Sequence, residues 1–185
     1  MPLHTILSLG TDRGAITILY KALLSEGAIA LDTLRAQWEL DLGHPLANAD
    51  WLQAISQVKT VSRNMRLRFT QFNYLHRTYL TPSRIARMYL TPSSACPRCS
   101  APNADFKHMV WDCTILQPAW KEVLEITSAI TAKPAPSIPE SCLLGIRPRP
   151  KGSKYSNRFI DLAMTLYKRQ IAMHWKARAP PYRRT

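Results

Sequence analysis

Residues 96–113 read CPRCSAPNADFKHMVWDC, which puts three of the chain's four cysteines and one of its five histidines within eighteen positions. As spacings this is Cys-X2-Cys-X8-His-X4-Cys, with Cys96, Cys99, His108 and Cys113 as candidate metal ligands. A two-residue gap lets both thiolates of a tight turn face one ion, and zinc takes four such ligands in a tetrahedron. Pro97 suits the turn. Pro102, Asn103 and Asp105 allow the spacer to reverse and then cap a helical segment carrying His108. On an ideal α-helix five residues advance about 500°, which leaves Cys113 about 140° away from His108. Both can bind one ion only if the helix ends or loosens between them.

Two other readings of the cysteines compete. A redox Cys-X2-Cys needs a βαβ surrounding, which the helical pattern here does not supply, and it leaves His108 and Cys113 without a role. Inert cysteines would share this spacing by coincidence. Zinc is the reading that uses all four side chains. The expected cofactor is a structural Zn2+, because four protein ligands leave no position for an activated water and no carboxylate in the segment is placed as a general base. Three thiolates and a neutral imidazole give such a centre a net charge of about −1. Any attraction for nucleic acid must then come from nearby Arg and Lys, of which Arg98 and Lys107 lie inside the segment.

Outward from the cysteines, charge is the next signal. The 185 residues carry 25 Lys and Arg against 12 Asp and Glu, a formal +13 that favours polyanionic partners. Residues 1–50 hold three basic and six acidic groups, and residues 51–104 hold eight basic groups and no acidic one. Residues 105–140 hold three basic and five acidic groups, and residues 141–185 hold eleven basic groups against Asp161 alone. The acid-free stretch makes Arg63, Arg66, Arg77, Arg84, Arg87 and Arg98 the candidate phosphate contacts, with Lys107 beside them. A solvated helix face is the plainer alternative. Lys168, Arg169, Lys176, Arg178, Arg183 and Arg184 form a second basic group near the C-terminus. Tyr74, Phe106, Trp111 and Trp120 can stack on unpaired bases, although Trp111 and Trp120 are better read as core.

The periodicity is helical throughout. Ile16, Leu19, Tyr20, Leu23 and Leu24 mark a first helix between Thr11/Asp12 and Gly27, and Leu34 and Trp38 a second ending near Gly43. Asp50 can cap a third, carrying Leu52, Ile55 and Val58. From Ser62 to Leu80 the stripe Met65, Phe69, Phe72, His76 and Tyr79 is expected to face a core, with His76 a core residue. Thr81-Pro82 starts a short helix with Ile85 and Met88 inward. Pro118 starts another with Trp120, Val123, Leu124, Thr127 and Ile130. A last helix over about 156–177 carries Phe159, Leu162, Ala163 and Leu166. Cys142 reads as a buried thiol. The expected fold class is mainly α: a small helical domain with a Cys3His zinc-knuckle-like segment and a C-terminal basic helix. Its expected divisions are an acidic helical segment over 1–60, a zinc-binding domain over 61–132, a Pro-rich linker over 133–155, and a basic helix and tail over 156–185.

The opening MPLHTILSLG lacks a basic n-region, and no run approaches the roughly 18 apolar residues of a membrane span. The expectation is an intracellular protein, nuclear or cytoplasmic, not secreted and without a membrane partner.

The cysteine segment and its surroundings resemble the zinc-binding domain at the C-terminal end of the reverse transcriptase polyproteins of LINE-type (non-LTR) retrotransposons. LHRTYLTPSRIARMY (75–89) is similar to that family's helix-break-helix lead-in, and HMVWDCTILQPAWKEV (108–123) to its His, aromatic, Cys, Pro and Trp order. SCLLGI (141–146) and RFIDLAMTLYKRQIAMHWKARAPP (158–181) resemble the basic helical tail of vertebrate elements. The resemblance implies a non-enzymatic accessory domain that follows a polymerase and helps it engage RNA or DNA during target-primed reverse transcription. It assigns metal binding to Cys96, Cys99, His108 and Cys113. No paired-aspartate polymerase motif and nothing like an endonuclease is seen, so the chain is expected to be a fragment, or a reading through a decayed or repurposed element, whose Met1 need not be a native start. Its implied partners are RNA, DNA and the parent polymerase. The alternative is a protein-protein interaction module whose acidic N-terminal helices dock on a polymerase or another partner.

Overall fold

A computed structural model of the chain describes residues 31–89, 93–147 and 153–179. It is mainly helical, with no strand among the described residues. The chain divides into two compact units between Leu46 and Ala47. The helix expected over residues 11–27 lies outside the described residues.

In the first unit, α1 is described over residues 31–42 and stops where Gly43 turns left-handed at φ 79°. Glu39 ties the stop together: its carboxylate takes Arg35 Nε at 2.9 Å and the Leu46 amide at 2.9 Å. The Leu46 amide first, and then Arg35, hold the Glu39 carboxyl below its ordinary value.

The second unit contains α2 (Asn48–Thr60), α3 (Met65–Leu75), α4 (Pro82–Tyr89), α5 (Gln117–Thr131) and α6 (Lys154–Met173), with π-turns at His108–Asp112 and Glu140–Leu144. Helices α3 and α6 are central. The first packs on α2, α6 and the Glu140–Leu144 turn, and the second also meets α5. Asn64 caps α3 by accepting the Arg66 amide at 2.9 Å. That helix ends well before Leu80 because Arg77 turns left-handed at φ 53°, while the Thr78 amide returns to Asn73 O at 3.0 Å. Thr81 caps α4 as expected, its hydroxyl accepting the Arg84 amide at 3.2 Å.

The inward faces correct the expected stripes. On α2 the buried residues are Trp51, Ala54 and Gln57, and Leu52 is exposed. On α3 they are Leu67, Thr70, Gln71, Tyr74 and Leu75, whereas Met65, Phe69 and Phe72 are exposed and His76 is half-buried beside the Phe72 ring. On α6 they include Met164, Thr165, Tyr167, Lys168 and Ile171, with Phe159 and Leu166 exposed. Met88 is also exposed, because α4 is short and buries none of its residues fully. On α5, Trp120, Leu124 and Thr127 are buried as expected and Ile130 is not.

One physical cause runs through α2, α3 and α6. The Glu140–Leu144 turn is buried, and its chain end leaves carbonyls that need donors. Gln53 Nε2 reaches Gly145 O at 2.8 Å, Gln71 Nε2 reaches Leu143 O at 3.3 Å, and Lys168 Nζ reaches Leu143 O at 3.0 Å and also binds Gln71 Oε1. Gln57 Nε2 meets Gly145 O at 3.4 Å and Asp161 Oδ2 at 3.1 Å, and Asp161 pairs with Arg147. Rotating the apolar stripes inward would remove these donors and leave buried carbonyls unpaired, at about 1–3 kcal/mol each. Within the segment expected as a linker, then, residues 141–146 belong to the core. Cys142 is buried there as expected, its thiol pushed up to about 12 by burial.

Candidate metal centre

The Cys96–Cys99 turn is closed by the Ser100 amide on Cys96 O at 2.9 Å and by the Cys96 amide on Ala101 O at 2.8 Å. Ser100 and Asn103 adopt φ 60° and 52°, which reverses the spacer over Pro102. Asp105 Oδ1 then accepts the His108 amide at 2.7 Å, so Asp105 caps the segment that carries the histidine, as its position suggested.

From His108 to Asp112 the chain makes a π-turn, closed by the Cys113 amide on His108 O at 3.0 Å. This is the loosening that the five-residue interval demanded. A bond spanning five residues widens the turn and removes most of the angular separation an α-helix would impose. Cys99 Sγ lies 3.2 Å from His108 Nε2, and Cys96 Sγ lies 3.9 Å from Cys113 Sγ. The four ligand atoms all lie within 4.8 Å of one another. Cys96 and Cys113 are buried, and Cys99 and His108 reach the half-exposed side. Among the described residues this is the group of four that can hold one metal ion.

The protons of the thiols are unequally held. Burial alone would raise Cys99, but the Ala101 amide and bonds with Cys96, His108 and Cys113 outweigh it and lower the thiol to about 6. Cys113 is raised to about 11, by burial first and then by the neighbouring Cys96 charge. A divalent cation placed among them would stabilise all three thiolates, which crowd one another without it.

The π-turn frees carbonyls, and three of them find side-chain donors. Met109 O takes Arg98 NH1 at 2.8 Å, Val110 O takes Trp120 Nε1 at 2.9 Å, and Trp111 O takes Gln117 Nε2 at 2.7 Å. Arg98 also points NH2 at His174 O and Trp175 O, 3.5 and 3.4 Å away, at the C-terminal end of α6. Trp175 completes the join, donating Nε1 to Leu80 O at 2.8 Å and stacking on Tyr79 at 5.0 Å.

These bonds correct several expected nucleic-acid contacts. Arg98 is buried and committed to three carbonyls, because the turn aims it at the end of α6. Tyr74 is fully buried with its hydroxyl on Lys168 O at 2.9 Å, and Phe106 is buried beneath the Arg77 guanidinium, 5.2 Å from its ring. Lys107 pairs with Asp112 at 3.4 Å. Lys168, expected in the second basic group, is buried instead, and burial lowers its amine to about 7. Trp120 is core, and Trp111 is half-buried against it with ring centres 5.1 Å apart. Arg63, Arg66, Arg84 and Arg87 are exposed and form no ion pair among the described residues, and Lys176 and Arg178 are also exposed. Arg169 is half-buried, and Arg183 and Arg184 lie outside the described residues.

The inward roles of Arg98 and Gln117, and the Val110 carbonyl that the expected core residue Trp120 serves, carry no signal of their own in the sequence. The five-residue interval from His108 to Cys113 hinted at a turn that would need such donors, but nothing named them. Among the described residues no helix is long and apolar enough to cross a membrane. No protein-family model matches the chain.

Proposed function

We propose that the chain is a non-enzymatic, zinc-stabilised nucleic-acid-binding module, akin to the C-terminal part of a LINE-type reverse transcriptase polyprotein. One observation carries the metal. With Zn–S near 2.3 Å and Zn–N near 2.0–2.1 Å, a tetrahedral site spaces its sulfurs about 3.8 Å apart and sulfur from nitrogen about 3.5 Å. Here Cys96 Sγ and Cys113 Sγ are 3.9 Å apart, Cys99 Sγ and His108 Nε2 are 3.2 Å apart, and all four atoms lie within 4.8 Å of one another. All four positions are protein side chains, so the ion's role is to hold the Cys96–Cys99 turn against the His108–Asp112 turn.

Four exposed arginines support the nucleic-acid reading: Arg63 and Arg66 at the start of α3, and Arg84 and Arg87 on α4. They lie in a stretch with no carboxylate from residue 51 to 104. If each neutralises one phosphate, log affinity falls against log salt with a slope of roughly −4 on duplex DNA and roughly −3 on a single strand. Retention of labelled RNA and DNA by the purified chain over a salt series measures this. Substituting all four by Gln is expected to remove most of the slope. Binding that is absent, or barely weakened by salt, overturns the reading in favour of a module that docks on a polymerase or another protein.

A further inference from the structure

The apolar residues that α3 turns outward form a surface with its own chemistry. Phe69 and Phe72 are 63% and 39% exposed, and their rings lie parallel, 9° between planes and 6.3 Å between centres. His76 continues the row, 4.2 Å from Phe72. Beside them Val58, Lys59, Met65 and Arg68 complete a shallow hollow of about 370 Å³, at the small end of the roughly 300–1,000 Å³ found for ligand pockets. Arg68 is held along this hollow by Nε and NH2 on Lys59 O, at 3.0 and 2.7 Å.

Aromatic faces exposed beside cations are what a single strand uses: bases stack on the rings while phosphates run along the charges. The charged residues lining the hollow are both cations, Lys59 and Arg68, and Arg63 and Arg66 lie just before it in the stretch without a carboxylate. A second copy of the chain would bring the same cations against themselves, which a two-fold contact does not tolerate without counter-charge. A polyanion with planar apolar faces satisfies both halves of the surface. We infer that Phe69 and Phe72 form a stacking platform for unpaired bases of single-stranded nucleic acid, with Lys59, Arg63 and Arg66 holding the adjoining phosphates.

This inference rests on the nucleic-acid reading and is separable from it. The full chain is titrated with a labelled oligouridylate and with a labelled duplex of equal length, both at one fixed salt concentration. Phe69→Ala/Phe72→Ala is expected to weaken single-strand binding about tenfold or more, to leave duplex binding within about twofold, and to keep the melt cooperative, its midpoint lowered only by loss of the partly covered Phe72 ring. Arg84→Gln/Arg87→Gln is expected to weaken both ligands alike. Phe69→Trp provides a second readout, its fluorescence quenched by the oligouridylate and unaffected by the duplex. If wild type binds the oligouridylate and the double-Ala variant binds it equally well, the platform is refuted and the proposed function stands. Equal losses on both ligands, or a change from dimer to monomer in the variant, refute it as well. Failure of wild type to bind either ligand removes both readings.

Discussion

The two π-turns of the second unit solve the same problem in different ways. Each widens the backbone over five residues, at His108–Asp112 and Glu140–Leu144, and each leaves buried carbonyls to side chains from distant elements. The first ends in Cys113, extended at φ −62° and ψ 120°, and its donors Arg98, Gln117 and Trp120 fix the wall of a four-ligand cluster. The second ends in left-handed Gly145, and its donors Gln53, Gln57, Gln71 and Lys168 simply fill the core. One turn organises ligand atoms around a point, and the other organises three helices around a loop. The first should therefore answer to metal and the second to packing and pH.

Ligand loss is the largest expected effect. A structural zinc contributes on the order of 10 kcal/mol of apparent free energy to a small site, comparable to the whole stability of a domain. Cys99→Ser, His108→Ala or a chelator should each abolish the cooperative melt of the surroundings of the first turn. A melting curve unchanged by chelation contradicts this.

Next comes Arg98→Ala, which takes a charged donor from Met109 O, His174 O and Trp175 O together. Chemical denaturation should register a loss of about 3 kcal/mol, with metal bound more weakly but at the same stoichiometry. An effect below about 0.5 kcal/mol would mean that the cysteine turn does not rely on α6.

Gly145→Ala strikes the other turn. Its φ is 75°, and an added Cβ would meet Gln57 Cγ at 2.8 Å and Cδ at 3.0 Å. Gln57 is buried and hydrogen-bonded, so it has little room to yield. A loss of about 2 kcal/mol is expected, with metal content unchanged.

The last expected effect is on pH dependence. Burial lowers Lys168 from 10.5 to about 7 in the folded chain. Between those values the unfolded chain binds the extra proton, so Lys168 makes stability rise as pH goes from about 7 to 10.5. Below about 7 both states are charged, and the cost of burying the ammonium is fully present. Lys168→Met should flatten stability over that window, as read from denaturation midpoints at several pH values. An unaltered slope would show the amine to be solvated.

Much of the first turn was legible in the sequence, and little of the second. Side-chain identity and spacing define a ligand set, and the 140° mismatch between His108 and Cys113 already required a departure from α geometry. Helix existence also followed from periodicity, as in α2, α5 and α6. On α5 the inward face followed too, but on α2, α3 and α6 it did not, because Gln57, Gln71 and Lys168 look like surface residues until the carbonyls they serve are in place. The same blindness put Arg98 among the phosphate contacts and hid the outward rings of Phe69 and Phe72. Hydrophobicity ranks side chains one at a time, whereas a buried carbonyl chooses its donor by position.

The central claim is that Cys96, Cys99, His108 and Cys113 share one ion, and elemental analysis of the purified full chain tests it directly. One zinc per chain in wild type, and none in Cys99→Ser, is the predicted result. A wild-type chain that folds cooperatively with no bound metal, even after incubation with zinc, would contradict it.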